Sequence, residues 1–279
     1  LVPGAMLAGW RIRVREERRS QETLRGRMTL VDDELSRART IHDAMFPAAF
    51  EREIAFEYTY EPNHEIGGDY VHLHQCRASG AVTITLLDVA GHGLAAALTV
   101  NRLYGELERI FAEDAAATPQ QVMGLLNRYI HLTMSRHSMF ATGTCMRLDP
   151  TDGELRWVSA GHPPSLLRRA DGSVQDLDTT TILLGALGSD EFESVEERLS
   201  LTPGDVVIAY TDGAFEARNA AREQFGIPRI RDLVGFDTPP RAWSRFIAGA
   251  VQDHHGGVAD DDVLIATMTL RSLRIGGRP

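Results

Sequence analysis

Three aspartates stand next to apolar segments that have the length and composition of β-strands. Asp88 follows one such segment, Asp212 follows another, and Asp261 lies in an acidic group directly before the last one. Gly91 and Gly213 accompany the first two aspartates, and glycine lets the backbone come close to a ligand. One aspartate in such a place is explained by a solvated turn. Three of them indicate a shared site at the ends of the predicted strands.

Carboxylates gathered in one cleft repel one another unless cations neutralise them. Their oxygens are hard ligands, which select Mg²⁺ or Mn²⁺ over softer metals. Asp69, in the turn Gly67-Gly68-Asp69-Tyr70, adds a fourth carboxylate next to glycines. The sequence therefore predicts a divalent cation site. The candidate ligands are Asp88, Asp212 and the acidic group that contains Asp261, and Asp69 is a further acidic residue beside glycines.

Composition excludes several classes of protein. A net charge of −10 over 279 residues argues against nucleic-acid binding, which needs clustered Lys and Arg, and it suits a site that collects cations. The two cysteines, Cys76 and Cys145, form no CxxC motif, so neither a zinc site nor a disulfide framework is indicated. We expect buried thiols in a reducing cytosol. No apolar run is long enough to span a membrane.

The first 47 residues differ from the rest. We interpret residues 1–10, which begin without Met, as an expression remnant or the end of a fragment, or as the cytoplasmic end of a removed membrane helix. Residues 11–47 are charged and helix-forming, and Pro47 ends them. We expect a linker helix that pairs with its copy in a homodimer or lies on the following domain, with an ordinary amphipathic helix as the alternative. The heptad positions are Leu24, Met28, Val31, Leu35 and Ala38.

After Pro47 the pattern is that of an α+β domain over residues 48–272, followed by a tail at 273–279. Alternating or wholly apolar runs bounded by glycine turns predict hairpins of antiparallel strands, and two pairs of predicted helices interrupt them. The predicted strands are 54–60, 70–75, 81–87, 140–148, 154–159, 165–168, 206–210 and 263–270, and the predicted helices are 94–111, 118–136, 227–234 and 240–251.

Five motifs, in order and spacing, resemble PPM-type metal-dependent serine/threonine protein phosphatases of the bacterial SpoIIE-like branch. The resemblance covers roughly residues 35–270, and it implies a sandwich of two antiparallel β-sheets flanked by α-helices and preceded by a linker helix. It also implies two or more Mn²⁺ or Mg²⁺ ions at one end of the sandwich. The motifs are Gly67-Gly68-Asp69-Tyr70, Asp88-Val89-Ala90-Gly91-His92-Gly93, Ser159-Ala160-Gly161-His162-Pro163-Pro164, Tyr210-Thr211-Asp212-Gly213 with Glu216-Ala217, and Asp261-Asp262.

The resemblance also implies a role for each predicted site residue. Asp88 resembles the ligand that bridges two metals, and Val89 the residue that supplies a backbone carbonyl. Asp212 and Asp261 resemble the remaining direct ligands, although the neighbouring Asp260 leaves the last assignment ambiguous by one residue. Asp69 resembles an acid that contributes directly or through water. No organic cofactor is indicated.

Hydrolysis by a metal-activated water follows from this resemblance, because two nearby cations can lower the pKa of a water and hold the phosphoryl oxygens. No GxSxG elbow or Cys-x5-Arg loop offers a covalent nucleophile. His92 is a candidate catalytic acid for the leaving serine oxygen, with a structural histidine as the alternative. We expect His162 to be structural, and we expect His72 and His74 to alternate on an exposed strand face.

The substrate is inferred from the family alone. The branch usually dephosphorylates phosphoserine or phosphothreonine on an anti-anti-sigma (STAS) protein in a partner-switching pathway. For this chain we expect a cytoplasmic location, and for the full-length protein an upstream sensor domain and an upstream membrane anchor are further expectations. Three alternatives stay open: a phosphatase of other phosphoproteins or small phosphoesters, a catalytically weak scaffold of the same fold, and a diguanylate cyclase. Residues 67–70 resemble the signature turn of diguanylate cyclases.

Overall fold

The chain forms two compact units, Leu1–Asp43 and Ala44–Pro279. The computed structural model describes residues 3–63, 65–91, 93–137, 139–236, 240–257 and 261–274. Within these ranges no helix is both long enough and apolar enough to cross a membrane.

The first unit is a single helix, α1, Pro3–Asp43. Leu24, Met28 and Val31 of the predicted heptad seam are 55%, 65% and 53% exposed, and Leu35 and Ala38 are half-buried. Isolated helices gain most of their stability from packing of an apolar face. This helix therefore presents an apolar seam to its surroundings.

The second unit contains two antiparallel β-sheets. One has the strand order β1-β2-β11-β10-β7-β8 and the other has the order β3-β4-β5-β6-β9. The strands are β1 Phe50–Glu51, β2 Ile54–Glu61, β3 Asp69–Gln75, β4 Val82–Val89, β5 Ala141–Leu148, β6 Glu154–Ala160, β7 Ser165–Arg168, β8 Val174–Leu177, β9 Glu197–Ser200, β10 Val206–Tyr210 and β11 Val263–Leu270.

Five further helices complete the second unit. They are α2 Leu94–Glu113, α3 Pro119–Thr133, α4 Asp212–Glu216, α5 Ile227–Val234 and α6 Trp243–His255, with a short 3₁₀ turn at Ser135–His137. Thr118 and Gln121 form a capping box at the start of α3, where Pro119 occupies the first turn. This pair satisfies backbone donors that the helix leaves free, as the sequence predicts.

The described part of the second unit has four layers, in the order helices, sheet, sheet and helices, and an apolar core lies between each pair of neighbouring layers. One core lies between the two sheets, a second joins the five-stranded sheet to α2 and α3, and a third joins the six-stranded sheet to α4, α5 and α6. Alternate residues of one strand enter different cores: Ile84 and Leu86 pack between the sheets, while Leu87 and Val89 pack against the helices. Burial on both faces explains why β4 has no charged residue before Asp88 and why even Thr83 and Thr85 are fully buried.

The predicted α+β sandwich is confirmed, and the differences lie in its short or marginal elements. No sequence pattern predicts β1, β8, β9 or α4, because two to five residues are too few to show a period. Helix α6 extends past its predicted end at Val251, and His254 and His255 form its last turn before Gly256 adopts a left-handed conformation with φ 65°.

Candidate active site

The four predicted aspartates lie together in one cleft of about 210 Å³. Asp69 and Asp88 belong to the five-stranded sheet, whereas Asp212 and Asp261 lie next to the ends of β10 and β11, the two central strands of the other sheet. The cleft is thus built at one end of the sandwich. Its remaining lining residues are Gly68, Val89, Ala90, Gly91, Phe140, Ala141, Thr142, Leu183 and Asp262.

The pairing of β3 with β4 sets the first two aspartates side by side. Asp69 is the first residue of β3 and is directly opposite Asp88 in the antiparallel register. The Val89 nitrogen donates to the Gly68 carbonyl at 3.3 Å, which extends the pairing into the turn. A Cβ atom on Gly68 would stand 3.0 Å from the Val89 carbonyl oxygen, so glycine keeps this part of the cleft open.

The other two aspartates are held by the end of β10 and the start of β11. The Thr211 nitrogen donates to the Leu264 carbonyl and the Leu264 nitrogen donates to Thr211 Oγ1, each at 3.0 Å. Asp212 follows at once as the first residue of α4. Gly213 lies against the backbone of Asp262, where a Cβ atom would overlap the carbonyl oxygen. The glycine therefore lets α4 approach the acidic segment.

Asp262 was not among the predicted site residues, and the structure gives it a different task from Asp261. Asp262 is only 6% exposed, and its two carboxylate oxygens accept from the backbone nitrogens of Asn63 at 2.7 Å and Gly68 at 2.8 Å. Asp261 is exposed and lines the cleft. The residue before them, Asp260, which made the assignment ambiguous, lies outside the described residues.

Burial and mutual repulsion disfavour the charged forms of the cleft aspartates. The pKa of Asp69 lies well above its ordinary value, chiefly because the carboxyl is buried and then because Asp88 is near. Burial, with Asp212 and Asp261 next in importance, raises the pKa of Asp88 to about 7. Burial and Asp261 also raise the pKa of Asp212. Positive charge in the cleft would relieve this repulsion.

The groups in the cleft suit hard divalent cations. Asp69 Oδ2 is buried and makes no hydrogen bond within the described ranges, although its carboxyl also interacts with the Thr211 hydroxyl. A buried carboxylate oxygen without a hydrogen bond destabilises the fold unless a cation or a water binds to it. The backbone of Val89 supplies further oxygen, and no described lining residue is a soft sulfur or imidazole ligand.

The histidines have separate surroundings. His92, the predicted catalytic acid, lies outside the described residues and stays a prediction. His162 is 3% exposed, in agreement with a buried role. The expectation of an exposed face was wrong for His72, which is 3% exposed and pairs with Glu108 Oε1 at 2.9 Å. His74 stacks on Phe111 with ring centroids 4.2 Å apart. Packing by α2 over β3 explains the difference, because the sequence does not show which strand face a helix covers.

Comparison with known proteins gives one family. The profile of the Stage II sporulation protein E (SpoIIE) family matches residues 78–271. The phosphoserine phosphatase RsbP of Bacillus subtilis is 28% identical over 169 residues, which are 59% of this chain and 40% of RsbP. The chain spans between 35% and 40% of the length of such curated relatives.

Solved structures share the fold. The SiaA-PP2C domain of Pseudomonas aeruginosa superposes with a TM-score of 0.76 at 19% identity, covering 87% of this chain and 98% of that domain. The structure of RsbX in complex with magnesium gives a TM-score of 0.59 at 14% identity and covers 80% of this chain and 98% of RsbX. The family profile over most of the second unit, together with this sandwich, leads to one conclusion. The chain belongs to the SpoIIE family of PPM-type phosphatases.

Proposed function

We propose that this chain is a metal-dependent phosphoprotein phosphatase that hydrolyses phosphoserine or phosphothreonine. The observation that carries the proposal is the convergence of four carboxylates on one cleft, where the buried Oδ2 atom of Asp69 lacks a hydrogen bond among the described residues. The name of RsbP, a phosphoserine phosphatase, supports this substrate class.

In this proposal Asp88, Asp212 and Asp261 bind the cations directly, Val89 contributes its carbonyl, and Asp69 contributes directly or through water. Divalent cations bound there would supply an activated water and a counter-charge for the phosphoryl oxygens. Mn²⁺ and Mg²⁺ both suit these oxygen ligands, and the magnesium complex of RsbX supports the choice of a hard cation.

The chain's own residues prepare the cleft. Thr211 interacts with the Asp69 carboxyl and favours its charged form. Asp262 fixes the Gly68 backbone beside it, so the cleft keeps its shape while Asp261 remains exposed for binding. We retain His92 as the proposed acid that protonates the leaving serine oxygen.

The proposed substrate is a phosphorylated STAS protein of a partner-switching pathway, controlled by a sensor domain upstream. Both cysteines, Cys76 and Cys145, are free and buried, which suits the cytosol. We further propose that residues 11–47 are a linker through which two copies pair, and that 48–272 are the phosphatase domain. The exposed seam of α1 supports pairing. Removal of residues 1–43 should then convert a dimer into a monomer in solution, and a full-length chain that is already monomeric would contradict the pairing.

The central experiment is phosphate release from a phosphoserine-bearing STAS protein, with Mn²⁺ or with EDTA, by the wild type and by Asp212→Asn. We expect release only by the wild type with Mn²⁺. Turnover that resists EDTA, or full activity of Asp212→Asn, would reject the metal mechanism. Hydrolysis of p-nitrophenyl phosphate without activity on phosphoproteins would favour a small-molecule phosphatase. Binding of the phosphoprotein without release would favour a scaffold.

A further inference from the structure

Behind Asp88 a short chain of polar groups leads away from the cleft. Thr142 lies on β5 directly opposite Asp88 of β4. Directly opposite residues of antiparallel strands point their side chains to the same face, so the Thr142 hydroxyl lies beside the Asp88 carboxyl, and both residues line the cleft. On its other side, Thr142 Oγ1 lies 3.1 Å from His162 Nδ1. The order of groups is therefore carboxylate, hydroxyl, imidazole.

The protonation state of His162 follows from its surroundings. Burial lowers the pKa of His162 to about 4, so the ring is neutral near pH 7 and carries one N–H. The Thr142 hydroxyl has one proton and two lone pairs, so it can hydrogen-bond to the carboxyl and to the ring nitrogen at the same time.

The ring is fixed by its position in the chain. His162 follows Gly161, which has φ 59° and whose nitrogen donates to the Thr181 carbonyl at 2.9 Å. Two prolines follow His162 and restrict the backbone on the other side. The backbone of Tyr210, at the end of β10, lies close to the ring and partly offsets the lowering of the His162 pKa by burial. The imidazole thus stands between β5 of one sheet and the strand that leads into Asp212 of the other.

A purely packing role explains this arrangement poorly. His162 Nε2 is buried and makes no hydrogen bond in the described part of the chain. A buried ring nitrogen without a partner destabilises the fold, and an apolar side chain of similar volume would avoid that cost. The observed hydrogen bond of Nδ1 with Thr142 gives the histidine a reason to be there.

We propose that Thr142 and His162 are positioning residues, which orient the Asp88 carboxylate toward the cleft and thereby raise its affinity for a divalent cation. The proposal rests on the proposed metal-dependent function. Groups that hold a metal ligand in place typically change metal affinity about 10-fold to 100-fold when they are removed. Neither residue touches the phosphoryl group in this proposal.

The first test is binding of Mn²⁺ alone, measured by calorimetry on the full chain. Thr142→Val keeps the shape of the side chain and removes the hydroxyl, and we expect its dissociation constant to rise at least about 10-fold. Thr142→Ser keeps the hydroxyl and should bind within about threefold of the wild type. Thr144→Val is the matched control, because it removes a hydroxyl on the same strand that is bonded to the Val158 carbonyl instead. The control should bind Mn²⁺ as the wild type does.

The second test concerns the histidine. His162→Leu should weaken Mn²⁺ binding, whereas His162→Asn, whose amide can replace the hydrogen bond of Nδ1 with the Thr142 hydroxyl, should restore most of it. The double variant of Thr142→Val with His162→Leu should bind no more weakly than Thr142→Val alone, because both act through one hydroxyl. If His162→Leu does not fold, the Thr142 series decides the question.

The outcomes separate this inference from the function on which it rests. Wild type that binds Mn²⁺ and releases phosphate, with Thr142→Val binding Mn²⁺ equally well, overturns the inference and leaves the phosphatase intact. Wild type that neither binds Mn²⁺ nor depends on it overturns both. Parallel losses of Mn²⁺ affinity in Thr142→Val and Thr144→Val would show a general effect on the strand and would also overturn the inference.

Discussion

The carboxylate of Asp262 accepts a hydrogen bond from the backbone nitrogen of Gly68 at 2.8 Å, across 194 residues of sequence. The same side chain accepts from the Asn63 nitrogen at 2.7 Å. Asp262 therefore holds the turn that leads into Asp69. Its neighbour Asp261 instead lines the cleft, so two adjacent acids serve different purposes.

Substitution of these two acids should separate stability from cation binding. Asp262→Asn loses at least one charge-assisted hydrogen bond, so the free energy of unfolding should fall by about 2 kcal/mol in urea with EDTA. Asp261→Asn should not lower this free energy, because it removes a repelling charge from an exposed position. It should weaken Mn²⁺ binding instead. Equal stability of the two variants would contradict the division of roles.

Gly67 should tolerate no side chain. A Cβ atom there would overlap the Asp262 carboxylate and the Tyr60 hydroxyl, so Gly67→Ala should lower the free energy of unfolding by about 2 kcal/mol or more. Gly105→Ala is the control, since that glycine is exposed within α2 and has open space around it. The control should gain about 0.5–1 kcal/mol of stability from helix propensity. Thermal or urea unfolding of both variants measures the difference.

Removal of one repelling charge should stabilise the metal-free protein. The pKa of Asp88 is raised to about 7, so its contribution to stability is present at acidic pH and is lost as the pH rises through 7. In EDTA at pH 8, Asp88→Asn should therefore unfold at a higher urea concentration than the wild type. Its free energy of unfolding should be larger by on the order of 3 kcal/mol.

The order of stability should reverse when Mn²⁺ is present, because only the wild type gains binding energy. If both proteins had the same unfolding midpoint in EDTA at pH 8, the proposed repulsion among the cleft carboxylates would be wrong.

The buried His162 should make the protein sensitive to acid. Its pKa is lowered to about 4, so the stability that it contributes is complete above about 6.5, its unfolded value, and is lost as the pH falls toward 4. Between these two pH values the wild type should lose about 3 kcal/mol relative to His162→Asn. The comparison cancels the groups that both proteins share, including the cleft aspartates. Parallel pH curves would show that the ring is not buried as described.

Much of the architecture could be predicted because its signals are local. Strand β4 has no charged residue from Val82 to Leu87, and Thr118-Pro119 marks the start of α3 within two residues. The short helix α4 could not be predicted in this way, because it has only five residues and begins almost directly after the end of β10. The face of β3 that α2 covers was also hidden, which is why His72 was expected to be exposed.

The four cleft aspartates and the family could both be predicted from the sequence, because the motifs are defined by residue type and order alone. The separation of Asp261 from Asp262, and the link from Asp88 through Thr142 to His162, were decided only by the tertiary structure. Their hydrogen bonds join groups 20 to 199 residues apart, and the partner of a buried polar atom depends on how the strands and sheets pack. Residue type alone does not determine that partner.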